Sequence, residues 1–365
     1  MRFALCSIIL LFASCSAFSD DFKAGKDPIH IKISLEDPVD KSILLYGRLV
    51  IFPKQEQVLF FFINTVARDS ANSDPIRKGF GVFGDPMKEI FERSADFRIK
   101  LSPDSMARII DLCEGVNFLI ENSQFFEKGL FQYPEGIQFF SGRQSVEFSL
   151  AKGKAEQGSE YLADIDQLNR AESILLNFLW QFRDHFAAID NQPSIELIHS
   201  LMETDLSVER LKSLLSIFGS DSSFDVVVLD ASLELATVGF GQKVLIFNVN
   251  RSKILYQDYL HTINNKVDGF PIQVLNGTDI PRLAARVKDL IHNRGVRVLT
   301  TDNYKNQDLA ESTIIEHSGD FRKARLLKEL VGVKANQVFF RRRSLDIQST
   351  LIVGKDFNMK SLLKE

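Results

Sequence analysis

The 365-residue chain predicts two α/β domains in series, a larger mixed sheet with helices on its faces and a small βαβ-containing domain. Three observations carry this. Pro271 to Thr300 reads strand, helix, strand. An apolar hairpin at Ser42–Ile63 and a long amphipathic helix at Asp166–Phe186 supply a separate core. The polar stretch His261–Gly269, with Asn264-Asn265-Lys266, parts the two.

In the βαβ unit, Ile272–Leu275 is a short apolar run, hence a buried strand. Asn276-Gly277 breaks it, Thr278 or Asp279 can cap the next helix, and Pro281 suits that helix's first turn. Ile280, Leu283, Ala284, Val287, Leu290 and Ile291 form one helical stripe. Gly295 ends it, and Val296, Val298 and Leu299 begin the second strand.

The first half is read in order. Ser19 to about Asp37 is polar and predicts a tether. Ser42–Ile51 and Val58–Ile63 predict a hairpin, the second run lacking alternation and so needing cover on both faces. Pro103–Cys113 predicts a helix with Ser102 as N-cap. Ser141-Gly142 marks a turn, and Lys152–Ser159 a polar loop. Leu168, Ala171, Leu175, Phe178, Leu179, Phe182 and Phe186 make one continuous stripe on the long helix. Ile195–Met202 and Val208–Phe218 predict shorter helices, and Val226–Leu229 and Val244–Phe247 strands.

Net charge is −4, so the whole chain advertises no nucleic-acid partner, although the smaller domain is basic. From Pro271 onward 17 Lys and Arg face 11 Asp and Glu, a surplus of 6 that leaves −10 elsewhere. A basic domain beside an acidic one favours an anionic partner for the former. Arg2 precedes an uncharged run, Phe3–Ala13, too short to span a bilayer but suited to an export signal. Phe12-Ala13-Ser14-Cys15 resembles a relaxed lipobox, with Cys15 as the lipidated residue; cleavage after Ala17 is the other reading. Either predicts the cell envelope, at the periplasmic face of a membrane or free in the periplasm. Cys113 sits on the apolar side of its helix and reads as a buried thiol.

The segment from Pro271 to about Phe357 resembles the LytR C-terminal domain of bacterial envelope proteins. The matching residues are Val274–Thr278, Leu283-Ala284, Gly295-Val296, Asp302-Asn303, Leu330–Gly332 and Leu351–Phe357. More faintly, residues 40–262 resemble a LytR-CpsA-Psr catalytic domain, through Ile110–Val116, Tyr133–Gly136 and Phe140–Phe148. The implied organisation is an export signal at 1–17, a tether at 18–39, this degenerate domain at 40–262, a linker at 263–270, the LytR C-terminal domain at 271–357 and a tail at 358–365.

Active members of that family are Mg²⁺-assisted enzymes that move a glycopolymer from a polyprenyl-pyrophosphate lipid onto peptidoglycan. Such chemistry needs carboxylates for the metal and guanidinium groups for the growing pyrophosphate charge. The resemblance places the family's acidic and guanidinium positions near Leu44, Asn64, Thr65, Leu150, Lys152, Gln167 and Arg170. Only Lys152 and Arg170 keep a positive charge, and no carboxylate falls on a metal position. A shift of register would bring Arg68 and Asp69 into play instead of Asn64 and Thr65.

The expected function is therefore non-catalytic, the binding or organising of an envelope glycan or lipid-linked precursor without a cofactor. Candidate contacts are Lys152 and Arg170, together with the cluster Arg341-Arg342-Arg343 after Val338–Phe340. For each, a solvated surface is the competing reading. Expected partners are peptidoglycan or an anionic glycan, a polyprenyl-phosphate lipid, and the membrane through a lipid anchor. The alternative function is a genuine phosphotransferase, which alone would need Mg²⁺. Transcriptional regulation, the role the family's name implies, conflicts with an export signal. The six His residues lack metal-ligand spacing.

Overall fold

The computed structural model describes residues 22–70, 74–80, 84–120, 124–125, 132–153, 159–219, 222–292, 294–332, 335–342 and 346–357. The first domain is built on a six-stranded sheet of order β10-β3-β2-β1-β4-β9. Here β1 is Ile29–Glu36, β2 Ile43–Phe52, β3 Gln57–Ile63, β4 Phe97–Leu101, β9 Glu203–Thr204 and β10 Asp225–Asp230. The β2–β3 hairpin forms as expected and lies at the sheet's centre. Every residue of β3 is buried. Val58, Phe60 and Phe62 face one core, and Leu59, Phe61 and Ile63 face the other.

Helix α1 (Pro86–Phe91) and helix α7 (Val249–Thr262) cover the second face. The first face carries α2 (Pro103–Leu112), α3 (Gly142–Leu150), α4 (Glu160–Ile189), α5 (Gln192–Ser200) and α6 (Val208–Ser216). Ser102 caps α2 by accepting from Ser105 N–H at 3.1 Å. Where the sequence marks a turn, Ser141 and Gln144 form a reciprocal capping box that starts α3. Gly142 is required there, because any side chain would collide with the Ala107 carbonyl of α2. Short ribbons β5–β8 (Val116–Ile120 with Gly136–Phe140) and β11–β12 (Leu233–Thr237 with Lys243–Phe247) flank the sheet.

One correction concerns the tether. From Phe22 onward the segment is part of the fold: Phe22 is fully buried, and β1 pairs with both β2 and β4. Its sequence, IHIKISLE, mixes polar with apolar residues, yet His30 and Ser34 are buried as well.

The second domain is a five-stranded sheet of order β14-β13-β17-β15-β16. Its strands are β13 Phe270–Asn276, β14 Val296–Asn303, β15 Thr313–Glu316, β16 Asn336–Phe339 and β17 Ser349–Val353, with helices α8 (Leu283–Ile291) and α9 (Phe321–Val331). The βαβ unit is β13-α8-β14, its strands parallel. Neither Thr278 nor Asp279 caps α8. Arg282, in the left-handed region, holds the N-cap position, and Thr278 instead accepts from Ile280 N–H.

The two domains meet along α4. Asn177 donates to the Phe339 carbonyl at 2.7 Å and accepts from the Phe339 N–H at 3.0 Å. Its amide thus closes the open edge of β16 as a further strand would. Trp180 packs on Phe321 and Phe339, with ring centroids 5.0 and 5.5 Å apart. At the other sheet's edge, Val228 of β10 donates its N–H to the Gly319 carbonyl at 2.8 Å. Gly319 lies in a turn gripped by the fully buried Glu316, which accepts from the N–H groups of Ser318, Gly319 and Asp320. Phe321, Ala324 and Phe339 therefore belong to the first domain's core.

On the second face, His30 is buried edge-on to Phe91, with ring centroids 5.4 Å apart. Burial, then the charges of Arg93 and Arg48, pull its imidazole down to about 3.

Two outcomes follow from this packing. Asn177→Ala strands both main-chain groups of Phe339, at a cost of roughly 2–4 kcal/mol, and lowers the Tm read by the seam-located Trp180 emission. An unchanged midpoint would show that the seam is held elsewhere. His30 is neutral when folded, so the stability it contributes is intact above its unfolded value near 6.5 and drains as pH falls toward 3. In chemical denaturation across that window, His30→Leu should lose less stability than the wild type. Parallel curves would refute this.

Candidate functional site

Between the first face of the main sheet and helices α2 to α6 runs an elongated cavity of about 220 Å³. Its longest wall is α4. Asp164, Gln167, Leu168, Ala171, Leu175, Phe178 and Phe182 line it at helical spacing. At 1.5 Å per residue the wall from Asp164 to Phe182 extends for about 27 Å. Beyond the first turns the lining is almost wholly apolar: Phe60 and Leu49 come from the sheet, Ile109 and Ile110 from α2, and Leu211 and Leu214 from α6.

One end of the cavity is polar. There Leu44, Asn64, Thr65, Leu150, Asp164 and Gln167 converge. Five of these are the positions that the resemblance singled out, brought together from β2, the end of β3, α3 and α4. The polar ones among the five are neutral and spend their hydrogen bonds on the chain itself. Asn64 donates to the Asp164 carbonyl at 3.0 Å, Thr65 to the Leu44 carbonyl at 3.3 Å, and Gln167 to the Leu150 carbonyl at 2.9 Å. Arg68 is placed further along, its main chain bonded to Leu245 and Phe247 of β12.

Asp164 went unnoticed in the sequence. It stands one helical turn before Gln167, a spacing that puts both on one face of α4. Its carboxylate is 3.5 Å from Lys152 Nζ. This brings Lys152 to the mouth with its side chain half exposed.

The other candidate contacts are placed differently. Arg170 is buried rather than solvated, donating to the carbonyls of Phe148 and Ala151 at the end of α3. Burial pulls its guanidinium down to about 10, against the opposing pull of Asp166. Arg341 is not at a solvated strand end. It is buried in the seam, 3.1 Å from Glu172 and 2.7 Å from Asp230, with its N–H donating to Ser173 Oγ. Burial works against its charge, but Asp230 and Glu172 outweigh that and raise it. Arg342 lies half-buried over the Phe340 ring at 5.2 Å, and burial lowers it. Arg343 and Cys15 lie outside the described residues. Cys113 is buried, which pushes its thiol up to about 12.

The donor set at the mouth does not fit Mg²⁺. Octahedral oxygen coordination is usually anchored by carboxylates, and this mouth offers Asp164 alone, facing an ammonium. Among the described residues no three His, Cys, Asp or Glu side chains converge.

Residues 269–357 match the family described as LytR cell envelope-related transcriptional attenuator. The larger domain shares its fold with solved structures of low sequence identity. A Streptococcus agalactiae protein aligns with a TM-score of 0.51 at 11% identity, over 66% of this chain and 88% of that one. A Eubacterium siraeum protein described as a transcription regulator gives 0.50 at 13%, over 64% and 92%. TagT bound to LI-WTA gives 0.50 at 11%, over 66% and 91%. The RNA polymerase subunit beta' of Thermodesulfovibrio yellowstonii is 26% identical over 163 residues, 38% of this chain and only 12% of the subunit. Fold and cavity thus define a two-domain α/β protein with an apolar channel. Residues 269–357 resemble the LytR C-terminal family, and the larger domain has the fold shared by these solved structures.

The mouth generates a prediction about metal. Adding Mg²⁺ to the full chain should leave its Tm unchanged, whereas Leu44→Asp combined with Thr65→Asp, which gathers carboxylates beside Asp164, should confer a Mg²⁺-dependent rise. Thermal scans with and without the ion check both, and Mg²⁺ stabilisation of the wild type would count against the reading of the mouth.

Proposed function

We propose that this protein binds a lipid-linked glycan precursor of the cell envelope by its apolar tail and does not itself transfer the glycan. The observation that carries this is the channel: about 21 Å of apolar wall from Leu168 to Phe182, ending at a polar mouth where Asn64, Thr65 and Gln167 are neutral at positions where transferase chemistry needs charge. Each buried methylene of a tail contributes about 0.8 kcal/mol, so the channel supplies affinity without any catalytic group. TagT, of the same fold, is bound to LI-WTA, which supports an envelope glycan at the head end. The basic C-terminal domain is suited to peptidoglycan or another anionic glycan, and lipidation at Cys15 would keep both domains at the membrane.

The mouth argues against turnover. Losing one preorganised donor typically costs about 10² to 10³ in rate, and here Asn64, Thr65 and Gln167 stand in place of several. Arg170, three residues past Gln167 on α4, donates to main-chain carbonyls.

The test incubates the full chain with a polyprenyl-pyrophosphate saccharide in detergent micelles, Mg²⁺ and a peptidoglycan acceptor. The expected result is retention of the lipid with no release of lipid phosphate above the no-protein control. Ala171→Phe, which fills the channel with an apolar ring, should weaken retention at least tenfold while leaving the Tm equal or higher. Release of lipid phosphate that is abolished by Asp164→Asn would overturn the reading in favour of the phosphotransferase.

A further inference from the structure

The mouth of the channel opens at one edge of the main sheet, where β1, β3 and β10 end; Glu36 lies opposite Ile43 there, Tyr46 opposite Ile63, and Phe62 opposite Asp230. Three bulky apolar side chains project from this edge on three separate elements. Val39, in the loop joining β1 to β2, is 89% exposed. Leu162, in the first turn of α4 just before Asp164, is 49% exposed. Phe240, at the tip of the β11–β12 hairpin, is 113% exposed, more than in an extended reference chain.

The hairpin is fixed to the mouth. Arg68, four residues past Asn64, exchanges main-chain hydrogen bonds with Leu245 and Phe247 of β12 at 3.0 and 2.9 Å. Lys243 at the start of β12 sits 5.9 Å above the ring of Tyr161 on α4. At the tip, Phe240 takes a φ of 61°, a backbone region that bulky residues avoid. Glycines flank it, with no neighbour within reach of an added Cβ. Nothing in folding accounts for a phenylalanine there, since it touches no core and sits on a strained backbone.

We propose that this rim is a lipid-bilayer contact, with Phe240, Val39 and Leu162 entering the headgroup–acyl boundary so that the channel mouth opens directly onto the membrane. The inference rests on the reading of the channel as a lipid-tail site, because a long tail crossing water would forfeit the burial that makes it bind. A bilayer fits better than a protein partner. The apolar groups are isolated tips rather than one contiguous patch of the size a stable protein interface needs. Charges of both signs accompany them: Asp40, beside Val39, interacts with Arg77, and Lys243 lies over Tyr161, beside Leu162, which suits zwitterionic headgroups.

The experiment places the full chain on phosphatidylcholine vesicles with brominated acyl chains and reads tryptophan emission. Phe240→Trp should show blue-shifted emission quenched several-fold by the brominated lipid, and Val39→Trp should behave alike. The wild type, whose Trp180 is 18 residues along α4 from Leu162, about 27 Å away, should not be quenched. Water-like, unquenched emission from both variants would overturn the proposal and leave a protein partner as the occupant. Loading assays separate this from the channel reading. Phe240→Ser should take up a fluorescent polyprenyl phosphate from micelles as the wild type does, but at least tenfold more slowly from vesicles. Equal uptake from vesicles would also overturn the contact. Failure of the wild type to load from micelles, with both tryptophans still quenched, would sink the channel reading and sustain the bilayer contact.

Discussion

The structure depends on α4 being buried along two sides at once. One stripe, from Asp164 through Ala171 to Phe182, walls the channel; another, Glu172, Ser173, Asn177 and Trp180, holds the second domain. A helix with a single apolar face can shift on its neighbours at modest cost. This one is clamped between a sheet and a docked domain, and its polar groups are spent on Phe339 and Arg341. The Glu172–Arg341–Asp230 cluster is sealed from water, so its charges are compensated only in the assembled geometry. Buried ion pairs of this kind specify an arrangement more than they stabilise it, and here the arrangement is the docking of the two domains.

The mouth of the channel is held together by the chain's own hydrogen bonds. Leu44, Asn64, Thr65, Leu150 and Gln167 converge on one end of the cavity, and the side chains of Asn64, Thr65 and Gln167 donate to backbone carbonyls. Short amides and a hydroxyl satisfy the local main chain, so the site is stable without a ligand. Arginines clustered in the same place would repel one another until a phosphate arrived, and clustered carboxylates would do so until a metal did. The cavity behind the mouth has no such dependence, since its walls are ordinary core residues that leave space between them.

Much of this was legible in the sequence where the signal was local. The apolar run Val58–Ile63, the stripe of α4 and the βαβ unit at Pro271–Thr300 each carry their periodicity within a short window, and each formed. The convergence of Leu44 with Gln167 followed from the family resemblance rather than from any pattern. What failed to show was non-local. Ile29–Glu36 looks polar because His30 and Lys32 interrupt it, and only its two sheet neighbours make it a central strand. Arg341 sits in a run of three arginines that reads as solvated. Its partners Glu172 and Asp230 are 169 and 111 residues away in the chain. Arg170 lies off the apolar stripe, and nothing in its neighbourhood marks the carbonyls of α3 that bury it.

The separation between Arg341 and its acidic partners also sets a schedule for biosynthesis. Once Asp230 has been added to the growing chain, 111 residues must follow before Arg341 exists, about 6 to 22 s at ordinary elongation rates. Until then Glu172 and Asp230 have no counter-ion, β10 keeps a bare edge, and α4 lacks the cover of Phe321 and Phe339. The first domain can therefore collapse early but cannot reach its final packing until the last strands arrive.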